Sequence, residues 1–188
     1  MYENLQIIVY PDPRLKRISR KVVKFDENLT ALAKRMLELM RAAPGVGLAA
    51  PQAGHNIRLF VTNHTGKPED DQVYVNPVLS DAEGEETASE GCLSLPDIHA
   101  DVARAVTVRM TAVDLAGKPI KQLETGYLPR IWQHELDHLN GTLITDRMGP
   151  TAQMEVRKVL KELEEKYKLA HPELEAPIHK AKKRTSRR

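Results

Sequence analysis

The sequence predicts an α+β fold, with mostly antiparallel sheets wrapped around a central helix that carries an HExxH motif, plus one N-terminal and one C-terminal helix. Three observations predict it. Three long segments keep apolar residues at helical spacing. Several short strand-like runs lie between the first and second helices, and the one at 106–113 alternates apolar with polar residues, as a half-buried strand does. Tight polar turns join those runs, which favours antiparallel neighbours over crossovers.

Leu5-Gln6-Ile7-Ile8-Val9-Tyr10 is a short apolar run, and Tyr10-Pro11-Asp12-Pro13 turns the chain after it. Asp26 is placed to cap a helix over 27–42, where Leu29, Leu32, Ala33, Met36, Leu39 and Met40 share one face. Pro44-Gly45 ends it. The segment from Gly45 to Gln52 is built of small, almost uncharged residues. Strands are predicted at 57–62, 73–75 and 106–113. In the last of these Val106, Val108, Met110 and Ala112 alternate with Thr107, Arg109 and Thr111. The stretch 66–71 is a polar loop, and 114–118 reads as a hairpin turn. A second helix is predicted over 126–143. A third starts at Pro150, a good first-turn residue. It carries Val156, Val159, Leu160, Leu163 and Tyr167 on one side and pairs such as Glu162–Lys166 opposite. The reading is one catalytic domain, 1–169, followed by a basic tail, 170–188, that is flexible or ordered only on a partner.

Composition limits the function classes. The 188 residues are 41% hydrophobic but only 4% aromatic, so the core is aliphatic and platforms for stacking bases are not expected. The net charge is +2, yet the last ten residues hold six Lys or Arg and no acid, which leaves the body acidic. That distribution argues against sequence-specific nucleic-acid binding by the body. A single cysteine, Cys92, cannot form an internal disulfide, which suits a reducing compartment. No secretory signal is expected in the first twenty residues, and no apolar run is long enough for a membrane span.

The chemistry concentrates at His134-Glu135-Leu136-Asp137-His138. Residues four apart lie one turn apart on one helix face, so both imidazoles can bind one metal ion with Glu135 beside its open side. Two unrelated histidines on a helix remain the bland alternative. A catalytic ion also needs a third protein ligand. One HExxH class would place it at position 144, which is Ile144. Another would use a glutamate about twenty residues on, where Glu155 and Glu162 stand in a charged helix. Upstream, Glu90-Gly91-Cys92-Leu93-Ser94 offers a thiolate outside any apolar run, which would give a Cys plus two His set.

Together, the segments Gly45 to Gln52, Glu90 to Ser94 and Gln133 to His138 resemble the three signature motifs of the peptide deformylases, in the same order and at similar spacing. The likeness extends over about 5–169 and includes Tyr10-Pro11-Asp12-Pro13 and Asn76-Pro77. The resemblance implies a hydrolase that removes the formyl group from formyl-methionyl nascent peptides. It implies one divalent ion held by Cys92, His134 and His138, with Fe(II) the preferred ion and Zn, Ni or Co as substitutes. It further implies Glu135 as general acid/base, and Gln52 with the Leu93 backbone N–H as oxyanion donors. The substrate backbone is expected as an added strand along Gly45, Val46, Gly47 and Gly91. Val46, Tyr127, Ile131 and the stem of Arg130 would wall the pocket for its methionine. Glu90 and Arg104 would form a supporting ion pair behind the site, and Gln133 would sit next to the ligand set. His55, His64, His99, His171 and His179 are read as surface or loop residues.

Pro129 and Trp132 depart from the smaller or aliphatic residues common in this helix among the relatives, which leaves fine substrate preference open. The third helix and basic tail resemble the extension of the bacterial type 1 subgroup, which contacts the ribosome; a solvated tail is the other reading. The competing functions are an HExxH zinc endopeptidase and an inactive ribosome-associated binding protein. Retention of Gln52, Cys92 and Glu135 together argues against the second.

Overall fold

The computed structural model describes residues 2–172 of the chain. The first helix, α1 (Glu27–Ala42), starts where expected because the Asp26 carboxylate accepts the Leu29 N–H at 3.0 Å. Its buried face is Leu29, Leu32, Ala33, Met36 and Met40. Seven strands come next: β1 (Gly47–Ala49), β2 (Leu59–Thr62), β3 (Gln72–Glu83), β4 (Glu86–Cys92), β5 (Leu95–Arg104), β6 (Thr107–Val113) and β7 (Pro119–Thr125). Then come α2 (Tyr127–Leu139) and α3 (Pro150–Ala170). No described helix is long and apolar enough to cross a membrane.

The strands form a five-stranded sheet in the order β1-β2-β3-β6-β7 and a separate β4-β5 hairpin. Among the described residues every strand pair is antiparallel, and the one parallel contact is an isolated bridge between Arg20 and Ile57. Helix α2 lies against β1, β2, β3, β6 and β7, so it is the central helix of the predicted class. Its Trp132 and Leu139 pack with Phe60, Tyr74, Val108 and Met110. Helix α1 closes the other part of the sheet through Leu48, Leu59, Val61 and Val75. Helix α3 covers the hairpin, with Val156, Val159, Leu160 and Leu163 on Leu95, Ile98, Ala100 and Val102. Four strands keep one edge unpaired among the described residues: β1 and β7 end the large sheet, and β4 and β5 pair only with each other.

Several elements differ from expectation for identifiable reasons. Helix α2 stops at Leu139 rather than 143, because Asn140 caps it and Gly141 turns the chain at φ +74°. A Cβ on Gly141 would meet the Lys16 carbonyl oxygen at 2.6 Å, so the turn requires glycine. Strand β3 extends well past 73–75. Pro77 breaks the alternation pattern, but the ladder accommodates it with a register shift beside Asn76, which holds φ +54°. Strands β1, β4, β5 and β7 lie outside the strands expected from the sequence. In β7 the half-buried positions are Ile120, Gln122 and Glu124 while Leu123 faces solvent, so hydrophobicity points the wrong way. The polar loop holds one helical turn, Pro68–Asp70. On α3, Glu162 faces Lys158 at 3.9 Å rather than Lys166. Residues 173–188, with most of the basic tail and His179, lie outside the described residues.

Candidate metal centre

The helical spacing of α2 puts His134 and His138 on one face, and the turn after β4 brings Cys92 to them. Cys92 Sγ lies 3.3 Å from His138 Nε2, which lies 3.3 Å from His134 Nε2. All three ligand atoms fall within 4.8 Å of one another. A tetrahedral ion with bonds of about 2.0–2.3 Å spaces its ligand atoms roughly 3.3–3.6 Å apart. The three residues therefore fit a divalent ion by separation as well as by donor type. Glu155 and Glu162, the other third-ligand candidates, are exposed on α3.

Electrostatics favours a cation here. Burial works against a charge on His134, yet hydrogen bonds that its ring donates to the Cys92 and Glu90 side chains raise its pKa to about 10. Burial and the neighbouring His134 push His138 well below the ordinary histidine value. Glu90 fixes the His134 ring: its Oε2 lies 3.0 Å from Nδ1, which leaves Nε2 for a ligand role. Burial opposes ionisation of Glu90, but Arg104 and His134 hold its pKa at about 2.

Arg104 meets Glu90 through two parallel bonds, of 3.0 and 2.8 Å, in a buried ion pair. Arg130 spans the cleft wall and the interior behind it. Its stem lines the cleft, but its head is buried on Glu90 Oε1 (2.8 Å), the Val102 carbonyl (2.9 Å) and the Glu86 carbonyl (2.6 Å). Among the described residues Gln133 hydrogen-bonds to none of the three ligands. It clips α2 to Ala105, with its Oε1 accepting the Ala105 N–H at 3.0 Å and its Nε2 donating to the Ala105 carbonyl at 2.9 Å.

Glu135 is 3% exposed, and its Oε2 bonds to no protein atom. Burial pushes its pKa up to about 7, a value suited to proton transfer near neutrality. A nearby divalent cation would draw it down again. Gln52 is oriented by its own bonds. Its Oε1 accepts the Ala49 N–H at 2.9 Å, which forces Nε2 toward Ser94 Oγ (3.2 Å) and Cys92 Sγ (3.5 Å). Leu93 occupies the turn between β4 and β5.

These groups open into a cleft of about 410 Å³. One wall is Gly45, Val46 and Gly47 at the β1 edge; the other is Ser89 to Leu93 at the β4 edge. Tyr127, Arg130 and Ile131 line it from α2. The hairpin adds residues the sequence did not point to: Leu95, Pro96, Asp97, Ile98 and His99. His99 is thus a cleft residue as well as an exposed one, placed opposite Gly91 in the β4–β5 ladder. Ser94, which helps to orient Gln52, also escapes a reading of the sequence, because that contact joins residues 42 positions apart.

Comparison with known proteins yields one family. The sequence model described as Polypeptide deformylase matches residues 4–154. A peptide deformylase of Rhodopirellula baltica is 41% identical over 165 residues, covering 87% of this chain and 82% of that protein. The peptide deformylase of Thermotoga maritima is 39% identical over 159 residues, 84% and 95% of the two chains. Among solved structures, peptide deformylase from Plasmodium falciparum superposes with a TM-score of 0.85 at 37% identity, covering 88% of this chain and 99% of that one. A plant peptide deformylase gives 0.86 at 38% identity, covering 90% and 94%.

Proposed function

The chain belongs to the peptide deformylase family, and on that premise we propose that it is a metal-dependent hydrolase that removes the formyl group from formyl-methionyl nascent peptides while they are being made. The observation that carries the metal-dependent part is the convergence of Cys92, His134 and His138 beside a buried, unpartnered Glu135 oxygen. A divalent ion held by those three residues supplies Lewis acidity, making water acidic enough to yield a nucleophile near neutral pH. Fe(II) is the ion proposed in the cell, with Zn, Ni or Co able to substitute, since a thiolate and two imidazoles suit all four.

The residues then divide the work. Glu135 takes a proton from the attacking water and returns one to the departing amine, so formamide and water become formate and a free N-terminal amine. As attack proceeds, charge builds on the formyl oxygen. The Gln52 Nε2–H and the Leu93 N–H are its proposed donors, each aimed donor typically worth a few kcal/mol. Two of the free strand edges, that of β1 with the Gly45 to Gly47 segment leading into it and that of β4 at Gly91, hold the peptide as an added strand. Val46, Tyr127, Ile131 and the Arg130 stem receive the methionine side chain. Glu90 and Arg104 hold the Cys92 and His134 supports; Gln133 acts on helix placement. The domain proposed for this activity is 1–169. Ribosome contact through α3 and the tail, and action in the bacterial cytoplasm, complete the proposal; the lone thiol and the bacterial relatives support the latter.

The test is formate release from formyl-Met-Ala-Ser by protein loaded with Fe(II) or Ni, beside chelated protein and Glu135→Ala. Loaded protein should turn over, chelated protein should not, and Glu135→Ala should bind metal but lose at least about 100-fold in rate. Formate release that ignores the metal would refute the reading.

A further inference from the structure

Arg104 has a second face. While Nε and NH2 grip Glu90, its NH1 donates to Asp137 Oδ2 at 2.6 Å. Asp137 in turn is held at two points by Arg147, with Arg147 Nε on Oδ2 at 2.5 Å and NH2 on Oδ1. The chain of ion pairs therefore runs Arg147–Asp137–Arg104–Glu90 and ends on His134. Its members come from separate elements. Glu90 is two residues before Cys92 on β4, Arg104 ends β5, and Asp137 lies on α2 between the two histidines. Arg147 comes just after the short helical turn Ile144–Asp146 that leads to α3.

This places Arg104 as a pin between the strand that carries the thiol and the helix that carries both imidazoles. We propose that Asp137 and Arg147 are positioning residues for the metal ligands, locking α2 against β4 so that Cys92, His134 and His138 keep one spacing. The inference rests on the reading of those three residues as a metal site. The physical argument is rotational. Arg104 alone meets Asp137 through one nitrogen, and one hydrogen bond leaves the carboxylate free to swing. The guanidinium fork of Arg147 fixes both oxygens, and with them the rotation of α2 about its axis. Supports of this kind typically alter metal affinity about 10–100-fold.

Arg147 is the residue to test, because its side chain is 40% exposed and its loss should not prevent folding, whereas Arg104 and Asp137 are 2% and 12% exposed. Co(II) is titrated into metal-free protein while the thiolate–Co(II) absorption band and competition with a chelator are followed. Wild type, Arg147→Gln and Arg147→Lys are compared, each with its thermal midpoint. Arg147→Gln should bind Co(II) about 10-fold more weakly, and Arg147→Lys, which keeps the charge without the fork, should recover only part of that. Coulomb's law alone predicts the opposite sign, since removing a cation eases the approach of another. A fall in affinity therefore reports geometry. Unchanged or tighter Co(II) binding by folded Arg147→Gln overturns the proposal, even if the thermal midpoint drops. Failure of the wild type to bind Co(II) would instead overturn the metal-site reading on which it stands.

Discussion

At Gly47 the absence of a side chain serves Glu135 as well as any substrate. A Cβ built there would lie 2.8 Å from Glu135 Cδ and 3.0 Å from Cγ, and Glu135 is too buried to move aside. Gly47→Ala should displace the carboxylate and lower kcat at least about 10-fold, with metal content unchanged, because small misplacements of a reacting group are costly. Steady-state formate release together with metal stoichiometry checks both halves. Glu90 gives a second prediction. Its pKa falls from the ordinary 4.5 to about 2 in the folded chain. A carboxylate with a depressed folded pKa contributes stability that is complete above about 4.5 and is lost as pH falls toward 2. Denaturant midpoints should therefore drop across that window. In Glu90→Gln the drop should be smaller, and the variant should already be destabilised by about 3–5 kcal/mol at neutral pH, since Arg104 and Arg130 lose their buried partner. The sequence made His134, Glu135 and His138 legible because helical periodicity alone brings them together. Cys92 could be offered as the third ligand from its polar, glycine-flanked context, but nothing local tied it to the two histidines, and the family resemblance supplied that link. Ser94, Asp137 and Arg147 left no local trace, since each acts across a gap that only the fold closes.

At the scale of elements, legibility tracks the strength of the local signal. Helix α1 is readable to both ends, because Asp26 caps one and Pro44-Gly45 stands just past the other. Strand β5 carries a readable alternation, with Ile98, Ala100, Val102 and Arg104 inward, but a buried arginine ends it and an Asp at φ +63° interrupts its start. Strand β4, Glu86–Cys92, has almost no apolar residue to alternate, since its buried Glu90 serves the site rather than the core. Helix α3 is tied to the N-terminal segment by the Tyr10 hydroxyl, which donates to Glu164 Oε1 at 2.7 Å. Burial first, and then this carboxylate, raise the Tyr10 pKa to about 12. A tyrosine whose folded pKa is raised contributes stability that is complete below about pH 10 and is lost between about 10 and 12. Wild type should weaken across that range more than Tyr10→Phe does, while at pH 8 the variant should be less stable by about 1 kcal/mol. Urea midpoints at pH 8 and pH 11 test the pair; equal alkaline losses would remove the tie.

For the molecule as a whole, the question is whether the ion is part of the fold or a guest in it. Small zinc domains unfold without metal because they have no other core. Here three separate apolar clusters stand under α1, α2 and α3, and only the α3 cluster includes Cys92, as a partly buried neighbour. The ligands are also supported from behind by charge pairs that do not need the ion. The metal-free protein should therefore keep its secondary structure. Binding still stabilises by linkage: at free metal about 100-fold above the dissociation constant the gain is about 2.7 kcal/mol, which for a domain of this size raises Tm by roughly 5–10 °C. Circular dichroism with and without chelator should show the same spectrum at 25 °C and a lower midpoint after chelation. Loss of the folded spectrum on chelation would mean that the ion holds the hairpin and α2 together and that the apolar clusters do not suffice. An unchanged midpoint at saturating Fe(II), Ni or Co(II) would mean that Cys92, His134 and His138 hold no ion in the folded state, and the hydrolytic reading of the cleft would lose its metal.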